Sequence, residues 1–171
     1  MRSAWASQYD GTKVPNAGDR ACFRACRVIC QNLGADPATI PEGTVRRFQC
    51  ATGDAAVDPA ETHAATEYLR HMVSLGRGVI CGINYKPGIS QNRDGLSDHF
   101  VVLCAWDEAS GELRGLNPGA VVPPDMDWNV AFRWAPTVGA WVRSWPAHLQ
   151  DTRISMVCPD VERGKALVER P

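Results

Sequence analysis

Three residue types that thiol chemistry needs follow one another in this chain. A cysteine lies in Asp19-Arg20-Ala21-Cys22-Phe23-Arg24-Ala25-Cys26, a histidine in Asp98-His99-Phe100-Val101-Val102-Leu103, and an asparagine in Leu116-Asn117-Pro118-Gly119. A thiol attacks a carbonyl well when a base takes its proton, and an imidazole base needs a third group to fix its ring. Cys22 at a helix start sits at the positive end of the macrodipole, which lowers a thiol pKa. The backbone N–H there lacks an intrahelical partner and can bind an oxyanion. Gln8, upstream in Ser7-Gln8-Tyr9-Asp10, has an amide that can supply a second oxyanion donor.

Each of these residues also has a plainer reading. Cys22 can be a packing residue, as Cys26 and Cys30 are expected to be, and Cys26 remains an alternative nucleophile one turn along. His99 can cap or edge a strand. Asn-Pro-Gly is a common turn sequence, and a loop glutamine is usually solvated. The pairing of His99 with Asn117 rests on geometry. If Asp107–Gly111 is a tight turn, Asn117 returns roughly opposite Val101, and two odd-numbered residues in an even register share a sheet face. The asparagine oxygen can then accept from the ring N–H and fix the tautomer. Asp98 adjoins His99 in sequence but points to the other face. His63 and His71 fall on a predicted helix, and His148 in a loop.

These residues need particular elements to position them. Residues 1–17, rich in Ser, Asp, Gly and Pro, read as an extended arm and loop. Asp19 is placed to cap a helix from about Ala21 to Leu33, closed by Gly34. Residues 35–59 read as an irregular connection with a short helix around 42–49. Asp58-Pro59 opens a second helix that runs to Leu75 and ends at Gly76. The period then changes to that of strands. Strands are expected at Gly78–Tyr85, His99–Trp106, Glu112–Leu116, Val130–Trp134, Ala140–Ser144 and Arg153–Val157, with a polar loop at Lys86–Leu96. The charged tail 160–171 is expected to fray. Helices first and mostly antiparallel strands after make an α+β pattern in one domain spanning residues 1–171.

Composition narrows the function classes. The chain has 171 residues, 44% of them hydrophobic and 22% charged, with a net charge of −1. That is ordinary for a globular domain and offers no field to attract nucleic acid. No stretch approaches the roughly 20 apolar residues of a membrane span. Met1 to Asp10 has no apolar signal region, so synthesis in the cytoplasm without a signal peptide is expected. No nucleotide-binding glycine motif is present. The seven cysteines at 22, 26, 30, 50, 81, 104 and 158 include no C-x-x-C pair and no zinc spacing, so neither metal nor cofactor is expected. Cys81 and Cys104 read as buried small hydrophobes. Cys30 and Cys50 can pair in an oxidising compartment.

Taken together, Gln8, Cys22-Phe23, His99 and Asn117 resemble, in their order, the papain-like cysteine peptidase superfamily. The segment Gly78-Val79-Ile80-Cys81-Gly82-Ile83-Asn84-Tyr85 followed by Asp98-His99-Phe100-Val101-Val102 is similar to its bacterial branch. The resemblance covers roughly residues 7–118. The interval from Gln8 to Cys22 is longer than the family's, and the residue after Cys22 departs from the eukaryotic cathepsin pattern. The resemblance implies a fold in which an N-terminal helix carrying Cys22 packs on a mostly antiparallel sheet carrying His99. It implies cleavage of an amide bond through a thioester, with Cys22, His99, Asn117 and Gln8 as the catalytic set and a peptide or peptidoglycan as substrate. It also raises a secreted antibacterial amidase, delivered by a dedicated secretion system to a target-cell periplasm and countered by an immunity protein. An acyltransferase and a non-catalytic binding module are the alternatives. The cleft is expected to be shaped by loop 86–96 and by Trp128 or Trp141.

Overall fold

The computed structural model describes residues 1–34, 48–52, 56–84, 99–146 and 152–158. After a 3-10 turn at Arg2–Ala4 come helix α1 (Cys22–Asn32), short strands β1 (Phe48–Gln49), β2 (Ala51–Thr52) and β3 (Ala56–Val57), and helix α2 (Pro59–Ser74). Six longer strands follow: β4 (Val79–Asn84), β5 (His99–Asp107), β6 (Glu112–Leu116), β7 (Val130–Ala135), β8 (Ala140–Trp145) and β9 (Arg153–Cys158).

The start of α2 follows from its residues. Asp58 is its N-cap, its carboxylate accepting from the Ala60 and Glu61 N–H groups at 3.0 Å each, and Pro59 occupies the first turn. At α1 the expected Asp19 cap does not form. The Ala21 N–H is already bonded to the Gly18 carbonyl at 3.0 Å, which places Asp19 inside a turn, and the N-cap is Ala21 with no side-chain hydrogen bond. The N-terminal residues also differ from an extended arm: Ala4, Ala6, Gln8 and Val14 are buried, and the segment packs with α1. Where a short helix was expected around 42–49, Phe48–Gln49 is a strand. Residues 42–47, loop 86–96 and tail 160–171 lie outside the described residues.

The larger correction concerns architecture. The expectation of an α+β, papain-like fold, an N-terminal helix carrying Cys22 packed on a mostly antiparallel sheet carrying His99, does not hold. The strands run β1-β9-β4-β5-β6-β7-β8, all antiparallel, and β8 also pairs with β9. Six strands therefore close into a barrel, with β1 as an extra strand on β9, and the fold is dominated by its sheet. Closure is made by Val142 opposite Arg153 and by the Arg143 N–H on the Thr152 carbonyl at 2.8 Å. Irregularities at Gly82/Ile83, Leu103/Ala105 and Ala131/Phe132 help a sheet of this size to curl.

Alternation along the strands makes two cores. Val79, Cys81, Ile83, Val101 and Leu103 share one cluster with Leu113, Phe132, Trp141 and Ile154, and α2 adds Ala65, Leu69 and Val73. Ile80, Phe100, Val102 and Leu116 face the other way and pack against α1 through Phe23, Cys26, Ile29 and Cys30. Each helix thus buries its apolar face on its own side of the sheet.

Gly115 lies where β6 approaches β5 most closely. A Cβ there would run into the Val102 carbonyl oxygen and come within 2.9 Å of Leu103 Cα, both backbone atoms. Gly115→Ala should cost about 3 kcal/mol or more, read as a lower urea midpoint. A midpoint equal to that of the wild type would contradict this packing.

Candidate functional site

The first turn of α1 is docked on the first residues of β5. The Phe23 and Phe100 rings meet edge to face at 5.0 Å. This brings the start of α1 against the start of β5, where the backbone N–H groups of Phe100, Phe23 and Cys22 itself pull the Cys22 thiol pKa down. Cys22 is half-buried, whereas Cys26 and Cys30 are fully enclosed. All three lie on one helix face at i, i+4 and i+8; Cys22 differs because it is the first residue of α1, at the end of that face.

His99 and Asn117 come together through register. From the Asp107–Glu112 end of the hairpin, regular pairing would bring Asn117 opposite Val102, on the wrong face. The shift between Leu103 and Ala105 restores Val102 opposite Leu116, so the next step puts Asn117 opposite Val101, on the His99 face. The two side chains, 7% and 2% exposed, are joined by a contact of 2.8 Å between His99 Nε2 and Asn117 Oδ1.

The proton positions follow from the partners. The Gly119 N–H donates to Asn117 Oδ1 at 2.8 Å, which identifies that atom as the acceptor oxygen. His99 Nε2 must then carry a hydrogen and donate. In the neutral ring Nδ1 is left with its lone pair.

Gln8 also arrives at this site, with its amide turned away from the expected role. Nε2 donates to the Gly18 and Asp19 carbonyls, at 3.5 and 3.4 Å, in the turn before α1. Oε1 is buried without a hydrogen-bond partner. A Cβ on Gly119 would lie 3.3 Å from Asn117 Oδ1, 3.3 Å from His99 Cε1 and 3.4 Å from Gln8 Oε1, so all three crowd one point beside a residue without a side chain. Backbone bonds from the Gln8 N–H to Pro118 O (3.0 Å) and from the Gly18 N–H to Gln8 O (2.9 Å) tie the three loops together.

Burial governs the electrostatics. It pushes the Cys22 thiol above its ordinary range, against the backbone N–H groups of Phe100, Phe23 and Cys22 and the charge of Arg24, which pull it down. The lowering expected from the helix start is present but loses to desolvation. His99 is held below its ordinary value, chiefly by burial, with the Asn117 hydrogen bond raising it and the Arg143 charge lowering it further. Both shifts favour the same state, a neutral thiol beside a neutral imidazole. The other cysteines are worse nucleophiles. Burial drives Cys30, Cys50 and Cys104 to about 12, and Cys26 and Cys81 well up.

Several expected contributors lie elsewhere. Trp141 is in the α2 core, its Nε1 donating to Thr66 Oγ1 at 2.9 Å. It lines a cavity of about 470 Å³ with His63, Glu67, Arg70 and Trp134. Arg70 lies over the Trp106 ring, and Trp106 is seven residues along β5 from His99, about 23 Å at strand rise. That cavity is therefore separate from the Cys22 site. Trp128 meets Trp145 edge to face and carries the Arg114 guanidinium 4.8 Å from its ring centroid. His63 and His71 are on α2, which packs in a different core from α1 and Cys22. Asp98, His148 and loop 86–96 fall outside the described residues. Cys30 and Cys50 are both free and belong to the two different cores, so they do not pair. Among the described residues no group of three or more His, Cys, Asp or Glu is arranged to hold a metal, and no helix is long and apolar enough to cross a membrane.

Two contacts at the site were not anticipated. Trp5 Nε1 donates to the Asn117 carbonyl at 3.1 Å, and the Asn129 side chain bonds both the N–H and the carbonyl of Asn117. Neither has a periodic or motif signal. The only hint at Asn129 is a polar residue directly before the apolar run Val130–Phe132.

Two measurements check these assignments. Mapped iodoacetamide labelling of the folded protein should modify Cys22 first, with a pH midpoint above that of a free thiol near 8.5; earlier labelling of Cys26 would overturn the assignment. His99 should also make stability fall in acid. Its folded pKa is below the unfolded value near 6.5. As pH drops through 6.5, the unfolded chain therefore gains a proton that the folded chain resists, and unfolding is favoured by up to about 1.4 kcal/mol per pH unit until the folded pKa is reached. His99→Gln should flatten this slope between pH 7 and 5; an unchanged slope would show that His99 is not held neutral by burial.

Compared with models of known protein families, with curated proteins and with solved structures, the chain matches none.

Proposed function

We propose that this protein is a cysteine hydrolase that cleaves an amide bond through a thioester on Cys22. The observation that carries the reading is the shared Asn117 oxygen, which sets His99 as a base at Nδ1 where the start of α1 presents a thiol. Support comes from the partial exposure of Cys22, which sets it apart from the buried Cys26 and Cys30 of the same helix, and from the backbone N–H groups that pull its pKa down.

In this mechanism His99 Nδ1 takes the Cys22 proton as the sulfur bonds to the substrate carbonyl carbon. The neutral resting pair means that proton transfer accompanies attack and does not precede it. The Cys22 N–H binds the developing oxyanion. His99 then returns the proton to the leaving nitrogen as the C–N bond breaks. Water attacks the thioester, its proton passing to Nδ1 and then to the departing sulfur. Gln8 has its amide donor on the Gly18 and Asp19 carbonyls, so its part in binding the oxyanion requires the side chain to turn. Peptides are the substrate class. The sequence resemblance adds peptidoglycan peptides as the first to screen, with an immunity protein and export to a target-cell periplasm as corollaries.

One observation favours a second reading. A thiol pushed up by burial also suits a non-catalytic binding module. The readings separate in a mass-spectrometric screen of peptide and peptidoglycan-peptide cleavage. A hydrolase should lose all turnover in Cys22→Ala and about 10²- to 10⁴-fold in His99→Ala, and added amine should compete with water if acyl transfer is the natural reaction. Binding that survives Cys22→Ala, with no cleavage by the wild type, would overturn the hydrolase reading.

A further inference from the structure

Asn129 sits at the N-terminal edge of β7, 1% exposed, and belongs to no part of the chemistry above. Its side chain makes three short bonds into one loop. Oδ1 accepts from the Asn117 N–H at 2.6 Å, and Nδ2 donates to the Asn117 carbonyl at 2.9 Å and to the Ala120 carbonyl at 2.7 Å. An N–H on one side and two carbonyls on the other leave a single possible orientation of its amide. Its own N–H closes on the Gly115 carbonyl at 3.0 Å. The Asn117 carbonyl also accepts from Trp5 Nε1.

The backbone of Asn117 is thus gripped at both its donor and its acceptor, at the residue where β6 has ended and no strand ladder continues. A turn of this kind would normally leave those groups to water. Here they are buried on a second side chain, so the position of Oδ1 is set by Asn129. We propose that Asn129 is a positioning residue for His99, acting only through Asn117: it holds the oxygen that keeps the His99 ring in its Nε2–H form, which leaves Nδ1 as the nitrogen available to a neighbouring thiol. The proposal rests on the hydrolase reading for its consequence and on the geometry alone for its structural content. Outer partners that orient metal-bound histidines matter by about 10- to 100-fold, and an effect of that order is expected here.

The test compares wild type, Asn129→Ala, His99→Ala and the double variant. The first readout is the rate of Cys22 alkylation by iodoacetamide at pH 7. The second is solvent exchange of the His99 ring N–H by NMR in wild type and Asn129→Ala. Asn129→Ala should slow alkylation about 10-fold or more, with no further loss in the His99→Ala background, because the two act in one chain. It should also speed exchange of the ring N–H. An equal loss with and without His99 would mean that Asn129 only supports the fold, and would overturn the proposal. So would an unchanged ring N–H. If His99→Ala itself leaves the Cys22 rate untouched, the hydrolase reading fails, and the ring N–H still decides whether Asn129 positions His99.

Discussion

Asn117 Oδ1 accepts two hydrogen bonds at once, from the Gly119 N–H and from His99 Nε2, both at 2.8 Å. Everything else at the site depends on that shared oxygen. It identifies the acceptor end of the Asn117 amide and fixes the imidazole tautomer. It constrains the loop as well, since any side chain at residue 119 would press on Asn117, His99 and Gln8 together. The barrel supplies the rigid frame: β5 and β6 lie mid-sheet, and their ends carry His99 and Asn117.

Burial stabilises this arrangement and shapes its chemistry. A site enclosed enough to hold His99 neutral is also enclosed enough to keep Cys22 protonated. The backbone N–H groups at the start of α1 oppose that effect without overcoming it. A resting neutral pair spares the fold a buried ion pair, whose desolvation is costly.

Local signals were readable and non-local ones were not. Asp58-Pro59 announced α2 because cap and first turn are adjacent in sequence, and period-two runs located β4 to β9 to within a residue or two. The Asp19 cap failed because the Gly18–Ala21 turn consumed the residue that was meant to cap. Closure of the barrel was invisible, since one backbone pairing between β8 and β9 leaves no side-chain pattern. The face shared by His99 and Asn117 was expected from parity. It is realised only because the irregularity between Leu103 and Ala105 shifts the register by one, and nothing in the residues around Cys104 marks that step. Asn129 escaped notice for the same reason: its partners are 9 and 12 residues away, and their contact exists only after the strands have paired.

The central claim is the form of the His99 ring, and ¹⁵N NMR of the wild-type imidazole reads it directly. At pH 7 the account requires Nε2 to carry the proton in a hydrogen bond and Nδ1 to be bare. A ring protonated at Nδ1 alone, or an imidazolium at that pH, would contradict it.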